Sequence, residues 1–223
     1  MGKGVVTALE VQKRDKERVN VFIDGEFAFG LNLLDAARLR KGQVLAEAEI
    51  VALRDADAVV QAVNTAAHFL SYRPRSTQEV RRNLTEKETP ADVIDVAIER
   101  LVGMGYLDDA AFARYWVDNR SQFKPLSHRA LRQELRQKGL SDTVIDEALG
   151  EQSEPDLAYK AATTQVRKLR NRSVKEFKTK INAFLQRRGF SYSTTQDVVR
   201  RLMEALETDD PDYFNRDDEL HED

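Results

Sequence analysis

Two adjacent carboxylates, Asp108 and Asp109, are the residues of this sequence that most resemble a reactive pair. Two neighbouring carboxylates can share a proton or bind a metal ion, as a metal-dependent nuclease would require. Adjacent residues of a helix do not face each other, however, and this pair directly precedes a stretch with helical spacing of apolar residues. Negative charge is favourable at a helix N-terminus. The pattern therefore favours a helix cap over a catalytic or metal site.

Other residue types that carry out chemistry are scarce. The chain of 223 residues has no cysteine and three histidines, His68, His128 and His221, none of which has a second ligand at metal-binding spacing. His68 lies within an apolar helical pattern and is predicted to be packed or hydrogen-bonded. No glycine-rich phosphate-binding pattern occurs, and Gly103-Met104-Gly105 is typical of a helix end. We predict no catalytic site, no metal and no cofactor.

Basic residues are better candidates for function. In the centre of the chain they recur at spacings of three and four, which places them on one helix face. This central stripe consists of Arg129, Arg132 and Arg136 at those spacings, together with Lys138 two residues later. A denser group follows, with Arg167, Lys168, Arg170, Arg172, Lys175, Lys178, Lys180, Arg187 and Arg188. Each set is either a solvated helix face or an electrostatic surface for nucleic acid or an acidic protein, and the density of the second set favours binding.

A net charge of −3 conceals a strong asymmetry along the chain. Residues 160–206 carry 12 Lys and Arg against 3 Asp and Glu, whereas residues 208–223 carry 8 acidic residues against Arg216. So acidic a terminal run is predicted to be disordered. It either improves solubility or mimics phosphates and folds back on the basic region, which would limit access to that region.

The N-terminal region is predicted to form strands. Beta-branched and aromatic residues alternate on both sides of Asp24-Gly25, which is a strong hairpin signal, and residues 5–11 can add a third strand. A small sheet needs a helix over its apolar face, and residues 33–40 are the nearest candidate. From about residue 46 onward the spacing of apolar residues is helical.

The helical region contains a repeat of roughly 50 residues. Ser76, Ser127 and Ser173 are each followed by apolar residues four and eight positions later, as in a helix that begins at a capping serine. Glu79 and Glu176 complete a capping box in the first and third copies. Each repeat is predicted to contain three helices and to bury its apolar face against its neighbours. The predicted domains are a β-rich segment with linking helices at 1–55, helical repeats at 56–107, 108–153 and 154–207, and a disordered acidic tail at 208–223.

Three stretches of the sequence resemble the RecX family. They are Phe-Leu-Ser-Tyr-Arg-Pro-Arg-Ser-Thr-Gln-Glu-Val at 69–80, Gly-Tyr-Leu-Asp-Asp-Ala-Ala-Phe-Ala-Arg-Tyr-Trp at 105–116, and Leu-Arg-Gln-Glu-Leu-Arg-Gln-Lys-Gly-Leu at 131–140. They occur in order and cover the first two repeats closely, whereas the third repeat matches in length, capping and charge alone. Glu88 stands after Lys87 where the family frequently has a glycine.

The resemblance implies a mainly α protein in which three tandem three-helix repeats form an elongated curved array behind a small β segment. Family members bind in the groove of the RecA recombinase filament on single-stranded DNA. Most inhibit strand exchange, ATP hydrolysis and the co-protease activity that drives the SOS response. The resemblance thus implies a non-enzymatic regulator of recombination and DNA repair. We further predict that its basic residues contact the acidic surface or the DNA of the filament, and that Asp108, Phe112 and Trp116 serve folding.

Localisation and assembly are also predicted. The sequence shows neither a secretory signal nor a run long enough to span a bilayer, which predicts a cytoplasmic protein without membrane contact, and we expect a monomer. The alternative function is a stand-alone nucleic-acid-binding helical module. DNA binding of comparable strength in the absence of a recombinase would favour that alternative.

Overall fold

The computed structural model describes residues 2–215 and begins with an antiparallel sheet in the order β3-β2-β1-β4. Its strands are β1 (Lys3–Val11), β2 (Arg18–Ile23), β3 (Glu26–Asn32) and β4 (Val44–Ala46). The predicted hairpin is confirmed, because Asp24 and Gly25 join β2 to β3 with positive φ angles of 53° and 91°. The fourth strand was not predicted, since three residues are too few to show alternation.

Two segments cover the sheet, and one of them was predicted. Residues 33–40, which include the four-residue α1 (Leu33–Ala36), contribute Ala36 and Leu39 to the core of the sheet. The helix α2 (Glu47–Ser71), which was not predicted to do so, adds Ile50 and Leu53. The Arg18 guanidinium also donates two hydrogen bonds to the Asp57 carboxylate, at 3.0 and 2.8 Å, which ties β2 to α2. Because α2 runs unbroken through residues 55 and 56, the predicted domain boundary falls inside a helix.

The rest of the described chain is helical, and the prediction of a mainly α fold with three tandem three-helix repeats is confirmed. The chain forms two compact units, of which one ends at Asp108 and the other begins at Asp109. No helix among residues 2–215 has the length and apolar character that crossing a membrane requires. The repeats consist of α2 with α3 (Thr77–Glu86) and α4 (Ala91–Gly103); α5 (Asp109–Phe123) with α6 (His128–Gln137) and α7 (Asp142–Gly150); and α8 (Glu154–Val166) with α9 (Val174–Arg187) and α10 (Tyr192–Asp209).

The predicted capping serines begin the middle helix of every repeat. The hydroxyl oxygens of Ser76, Ser127 and Ser173 each accept a hydrogen bond from the backbone N–H three residues later. The full capping box forms at Ser76. At Ser173 the structure shows the serine half, while the Glu176 carboxylate pairs with neighbouring basic side chains. Local sequence therefore fixes where these helices begin.

The middle helices also end in a common way. The second residue after each helix has a left-handed backbone, namely Glu88 (φ 59°), Gly139 (φ 82°) and Gly189 (φ 89°). The next backbone N–H then reaches back to a carbonyl in the last turn, as in the bond from Phe190 to Leu185 at 3.2 Å. Glycine adopts this conformation without steric cost, whereas glutamate does not. The first repeat is therefore strained at Glu88.

The second and third repeats share one hydrophobic core. Leu131 and Leu135 of α6 belong to the same cluster of buried residues as Phe177 and Ile181 of α9. The backbones also meet directly, because the Ser127 N–H donates to the Arg188 carbonyl at 3.1 Å. A Cβ atom on Gly189 would lie 2.6 Å from the Ser127 hydroxyl oxygen, so only glycine allows this close approach. The C-terminal unit is thus a single packed body of six helices within its described residues.

Replacing Glu88 by glycine should stabilise the protein by about 0.5–1 kcal/mol, because it removes the left-handed strain. Chemical denaturation of the full chain measures this difference. Glu86→Gly is the matched control, since Glu86 is the last helical residue of α3 and glycine should there lower the stability. Equal destabilisation by both substitutions would contradict the assignment of strain.

Replacing Gly189 by alanine should cost about 1–3 kcal/mol more than replacing Gly105 by alanine. Both glycines have positive φ, but a Cβ on Gly105 meets nothing within 4 Å, whereas one on Gly189 meets buried Ser127. The difference in unfolding free energy isolates the contact between the repeats. Similar losses of unfolding free energy at the two positions would show that Ser127 can move away from the added Cβ without an energetic cost.

Candidate partner and nucleic-acid surface

The central basic stripe lies on α6, but its members are not equally available. Arg132 pairs with Asp146, and the Arg136 Nε donates to the Asp142 carboxylate at 2.7 Å. The hydrogen bond from Arg136 lowers the pKa of Asp142, and the same bond raises the pKa of Arg136. Arg129 is exposed and forms no ion pair within residues 2–215. Two of the four predicted cations therefore link α6 to α7 and are locally neutralised.

Lys138, the last member of the stripe, belongs to a cluster around Trp116. Its Nζ lies 4.9 Å from the centre of the Trp116 ring, and the Arg120 guanidinium lies 4.4 Å from it. One oxygen of the Glu134 carboxylate accepts hydrogen bonds from Trp116 Nε1 at 2.8 Å and from Arg120 Nε at 2.7 Å. This cluster joins α5 to α6, which agrees with the assignment of Trp116 to folding. The sequence pattern did not identify Arg120 and Glu134, because their partners are 14 or more residues away.

Most of the denser basic set lies at the turn between α8 and α9 and on the first turns of α9, whereas Arg187 and Arg188 lie at the C-terminal end of α9. Its exposed members that form no ion pair within the described chain are Arg167, Lys168, Lys178 and Arg187. Glu176 accepts contacts from Lys180 at 2.5 Å and from Arg172 at 3.4 Å. The hydrogen bond from Lys180 is the main cause of a lowered pKa at Glu176. Lys175 is exposed and has a contact of its own. Most of this set therefore faces solvent.

Arg188 is the exception within the basic set, and its prediction as a binding residue is not supported. Its guanidinium lies over the Phe184 ring at 4.5 Å and donates to the Pro125 carbonyl of the preceding repeat at 2.8 Å. Burial lowers the pKa of the Arg188 guanidinium. The side chain therefore satisfies a buried carbonyl at the contact between repeats instead of presenting charge to a partner.

The beginning of the acidic tail also differs from its prediction. Residues 208–215 were predicted to be disordered, yet Asp209 ends α10 and the following residues pair with the turn before α9. The Asn171 N–H donates to the Tyr213 carbonyl at 3.0 Å, and the Asn215 N–H donates to the Arg172 carbonyl at 3.1 Å. The Asp210 carboxylate lies 2.7 Å from Arg170.

Aromatic packing explains why this part of the tail is ordered. Tyr213 and Phe214 are 4% and 8% exposed, and both rings pack edge-on against Phe177 of α9. The Tyr213 hydroxyl donates to the Val166 carbonyl at 2.5 Å, and burial raises the pKa of Tyr213. The composition of residues 208–223 did not predict this contact, because their two aromatic residues are outnumbered by acidic residues. The other predicted tail acids, Asp217, Asp218, Glu219, Glu222 and Asp223, lie outside the described residues.

The histidines and paired aspartates do not assemble into a site. His68 is exposed and hydrogen-bonds the Tyr72 hydroxyl at 3.1 Å, and His128 Nδ1 lies 3.9 Å from the Glu154 carboxylate. Asp108 directly precedes α5, and Asp109 is its first residue. Within residues 2–215 no group of histidine and acidic side chains could hold a metal ion. His221 lies outside the described residues.

Comparison with protein families gives four consecutive matches. Residues 4–46 match the regulatory protein RecX N-terminal domain, residues 62–101 the first RecX three-helix domain, residues 108–149 the second and residues 152–199 the third. The matched ranges follow the sheet and the three helical repeats of the structure.

Individual relatives extend this similarity over most of the chain. The regulatory protein RecX of Bacillus pumilus is 36% identical over 208 residues, which span 91% of this chain and 79% of that protein. The regulatory protein RecX of Bacillus subtilis is 36% identical over 207 residues, which span 91% and 77%. A crystal structure of regulatory protein RecX matches with a TM-score of 0.68 and 31% identity over 87% of this chain and 98% of that one. The RecX structure from Lactobacillus salivarius, at 23% identity over 66% of this chain and 97% of that one, shares the fold with a TM-score of 0.58.

Replacing Arg188 by alanine should lower the unfolding free energy by about 1–3 kcal/mol, because the Pro125 carbonyl would lose its charged donor. Thermal or chemical denaturation measures the loss. Arg187→Ala is the matched control, since it removes the same side chain from an exposed neighbouring position. A neutral Arg188 variant, or a loss equal to that of Arg187→Ala, would contradict the structural role.

Proposed function

Because this chain belongs to the RecX family of regulatory proteins, we propose that it is a non-catalytic inhibitor of a RecA recombinase that binds the RecA filament on single-stranded DNA. The observation that carries the proposal is the solvent-facing basic surface at the α8–α9 turn. We call this surface the basic turn and define it by Arg167, Lys168, Arg172, Lys175 and Lys178.

The charge on the basic turn suits a filament better than it suits a small ligand. Its side chains are exposed, as those of a cavity would not be, and they extend from the end of α8 along the first turns of α9. Clustered cations of this kind attract phosphate backbones or acidic protein surfaces over the Debye length. A filament of nucleic acid and protein offers both. Arg129 is the member of the central stripe that remains available for the same role.

The presence of three related helical repeats supports inhibition through binding alone, without a catalytic step. A helical filament presents the same groove at every protomer, so a chain with three related modules can contact more than one protomer. Contacts to successive protomers raise the effective affinity and hinder the subunit movements that ATP turnover requires. The charges of the basic turn would set the rate and salt dependence of association.

ATP hydrolysis by the cognate RecA on single-stranded DNA is the direct test. Sub-stoichiometric addition of this protein should reduce the rate progressively. Lys168→Glu/Lys178→Glu should raise the concentration needed for half-inhibition by roughly fivefold to tenfold, because it reverses two charges of the basic turn. The matched control is Lys13→Glu/Lys41→Glu, which makes the same charge change at exposed lysines of the N-terminal unit.

The outcomes separate this proposal from its alternative. Equal inhibition by the two double variants would refute the role of the basic turn. Absence of inhibition at saturating concentration, together with strong DNA binding without recombinase, would instead support a stand-alone nucleic-acid-binding module.

A further inference from the structure

A five-residue pattern occurs twice in the chain and has no role in the function proposed so far. Tyr72-Arg73-Pro74-Arg75-Ser76 and Phe123-Lys124-Pro125-Leu126-Ser127 share an aromatic residue, a basic residue, a proline and the capping serine in the same order. The two copies occupy equivalent positions in the first and second repeats, between the first helix and the middle helix. We refer to them as the aromatic turns.

The leading aromatic side chain of each turn is exposed to solvent. Tyr72 follows the last residue of α2 and is 71% exposed, and Phe123 ends α5 and is 72% exposed. In the third repeat the equivalent position, four residues before Ser173, holds Leu169, which is 7% exposed. The first two repeats thus present a large ring where the third repeat buries a smaller side chain.

Folding does not explain the position of these rings. Burying a phenylalanine side chain contributes about 1.5–3 kcal/mol to the stability of a protein. Because Phe123 is mostly exposed, it supplies little of this stabilisation. The structure also orients the Tyr72 ring. Its hydroxyl forms a 3.1 Å hydrogen bond with His68, one turn earlier on α2, and the two rings meet edge to face with centroids 5.2 Å apart. A ring held in place at the surface loses little further entropy when a ligand stacks on it.

The surroundings of Tyr72 favour a particular kind of ligand. The ring borders a surface groove of about 470 Å³. Its lining residues are Asn64, Thr65, His68, Phe69, Tyr72, Asn83 and Lys87. They supply aromatic faces, two amides and one cation, and no carboxylate. In the second aromatic turn the exposed Lys124 follows Phe123 directly and forms no ion pair within residues 2–215.

We propose that Tyr72 and Phe123 are base-stacking contacts for single-stranded nucleic acid, with Lys87 and Lys124 as the adjacent phosphate contacts. Flat rings next to cations are the elements by which proteins hold unpaired bases without reading their sequence. Amides such as Asn64 and Asn83 can in addition bond to the edge of a base. The inference goes beyond the function proposed above, because it needs no recombinase and uses residues outside the basic turn.

Binding of a fluorescent oligothymidylate by the full-length protein, followed by anisotropy at low salt, tests the inference. Tyr72→Ala and Phe123→Ala should each weaken binding by at least about fivefold, the lower limit of what stacking one base contributes. Tyr192→Ala is the matched control, since Tyr192 is 70% exposed in the third repeat and lacks the basic residue and proline of an aromatic turn. It should bind as the unaltered protein does.

A strand of the same length with abasic sites separates stacking from charge. It keeps the phosphates, so the unaltered protein, Tyr72→Ala and Phe123→Ala should bind it with equal affinity. Lys87→Ala and Lys124→Ala should weaken binding to both strands and reduce the salt dependence. Circular dichroism and thermal melting of each variant show whether its fold is intact.

Tryptophan at the two positions gives a signal specific to stacking. Tyr72→Trp and Phe123→Trp should retain affinity, and their added fluorescence should be quenched by oligothymidylate, whereas the signal from Trp116 should change little. Several results would overturn the inference: no binding to the oligothymidylate, equal affinities of the aromatic-turn variants and Tyr192→Ala, or equal losses on the abasic strand. Loss of binding to DNA-free recombinase without loss of oligonucleotide binding would also overturn it, since the rings would then contact protein.

Discussion

The small size of a three-helix repeat is the constraint from which the C-terminal unit follows. Three short helices enclose few apolar residues, so a repeat gains stability when it buries part of its surface against another. The second and third repeats do so in one continuous core, whereas the first repeat, which contains the long helix α2, has a cluster of buried residues of its own. The approach of the second and third repeats is close enough that a Cβ on Gly189 would lie 2.6 Å from the buried Ser127 hydroxyl oxygen, and Arg188 donates a hydrogen bond across to the Pro125 carbonyl. Packing between repeats therefore dictates side chains that, in sequence, resemble ordinary surface residues.

The same packing sorts the basic residues by availability. Arg188 donates a hydrogen bond across the contact between repeats, and Lys138 lies beside Trp116. Arg132 and Arg136 form ion pairs with acidic residues of α7. At the α8–α9 turn, Arg167 and Lys168 are exposed and form no ion pair within the described residues, whereas Arg170 and Arg172 pair with Asp210 and Glu176. Charge density along the sequence overstates the binding surface, since a cation that neutralises a local carboxylate adds little to the external field.

Two kinds of surface therefore lie in different repeats. The third repeat carries the excess of basic residues, whereas the first two repeats present exposed rings at the aromatic turns. Charge attracts a phosphate backbone at a distance, and stacking holds unpaired bases at contact. Under the functions proposed above, a protein that engages a filament of single-stranded DNA and recombinase would use both.

The amino-acid sequence by itself determined the features that depend on near neighbours. The hairpin at Asp24-Gly25, the capping serines and the three-repeat organisation could all be predicted, because turn geometry and helix capping involve residues within about four positions of each other. Tertiary structure alone decided which cations remain available, that α2 shares in covering the sheet, and that Tyr213 and Phe214 pack against α9. The partners in those contacts are far apart in the chain, as Arg188 and Pro125 are by 63 residues and Arg18 and Asp57 by 39. The periodicity of apolar residues indicates which face of a helix is buried, but it does not indicate which distant residues pack against that face.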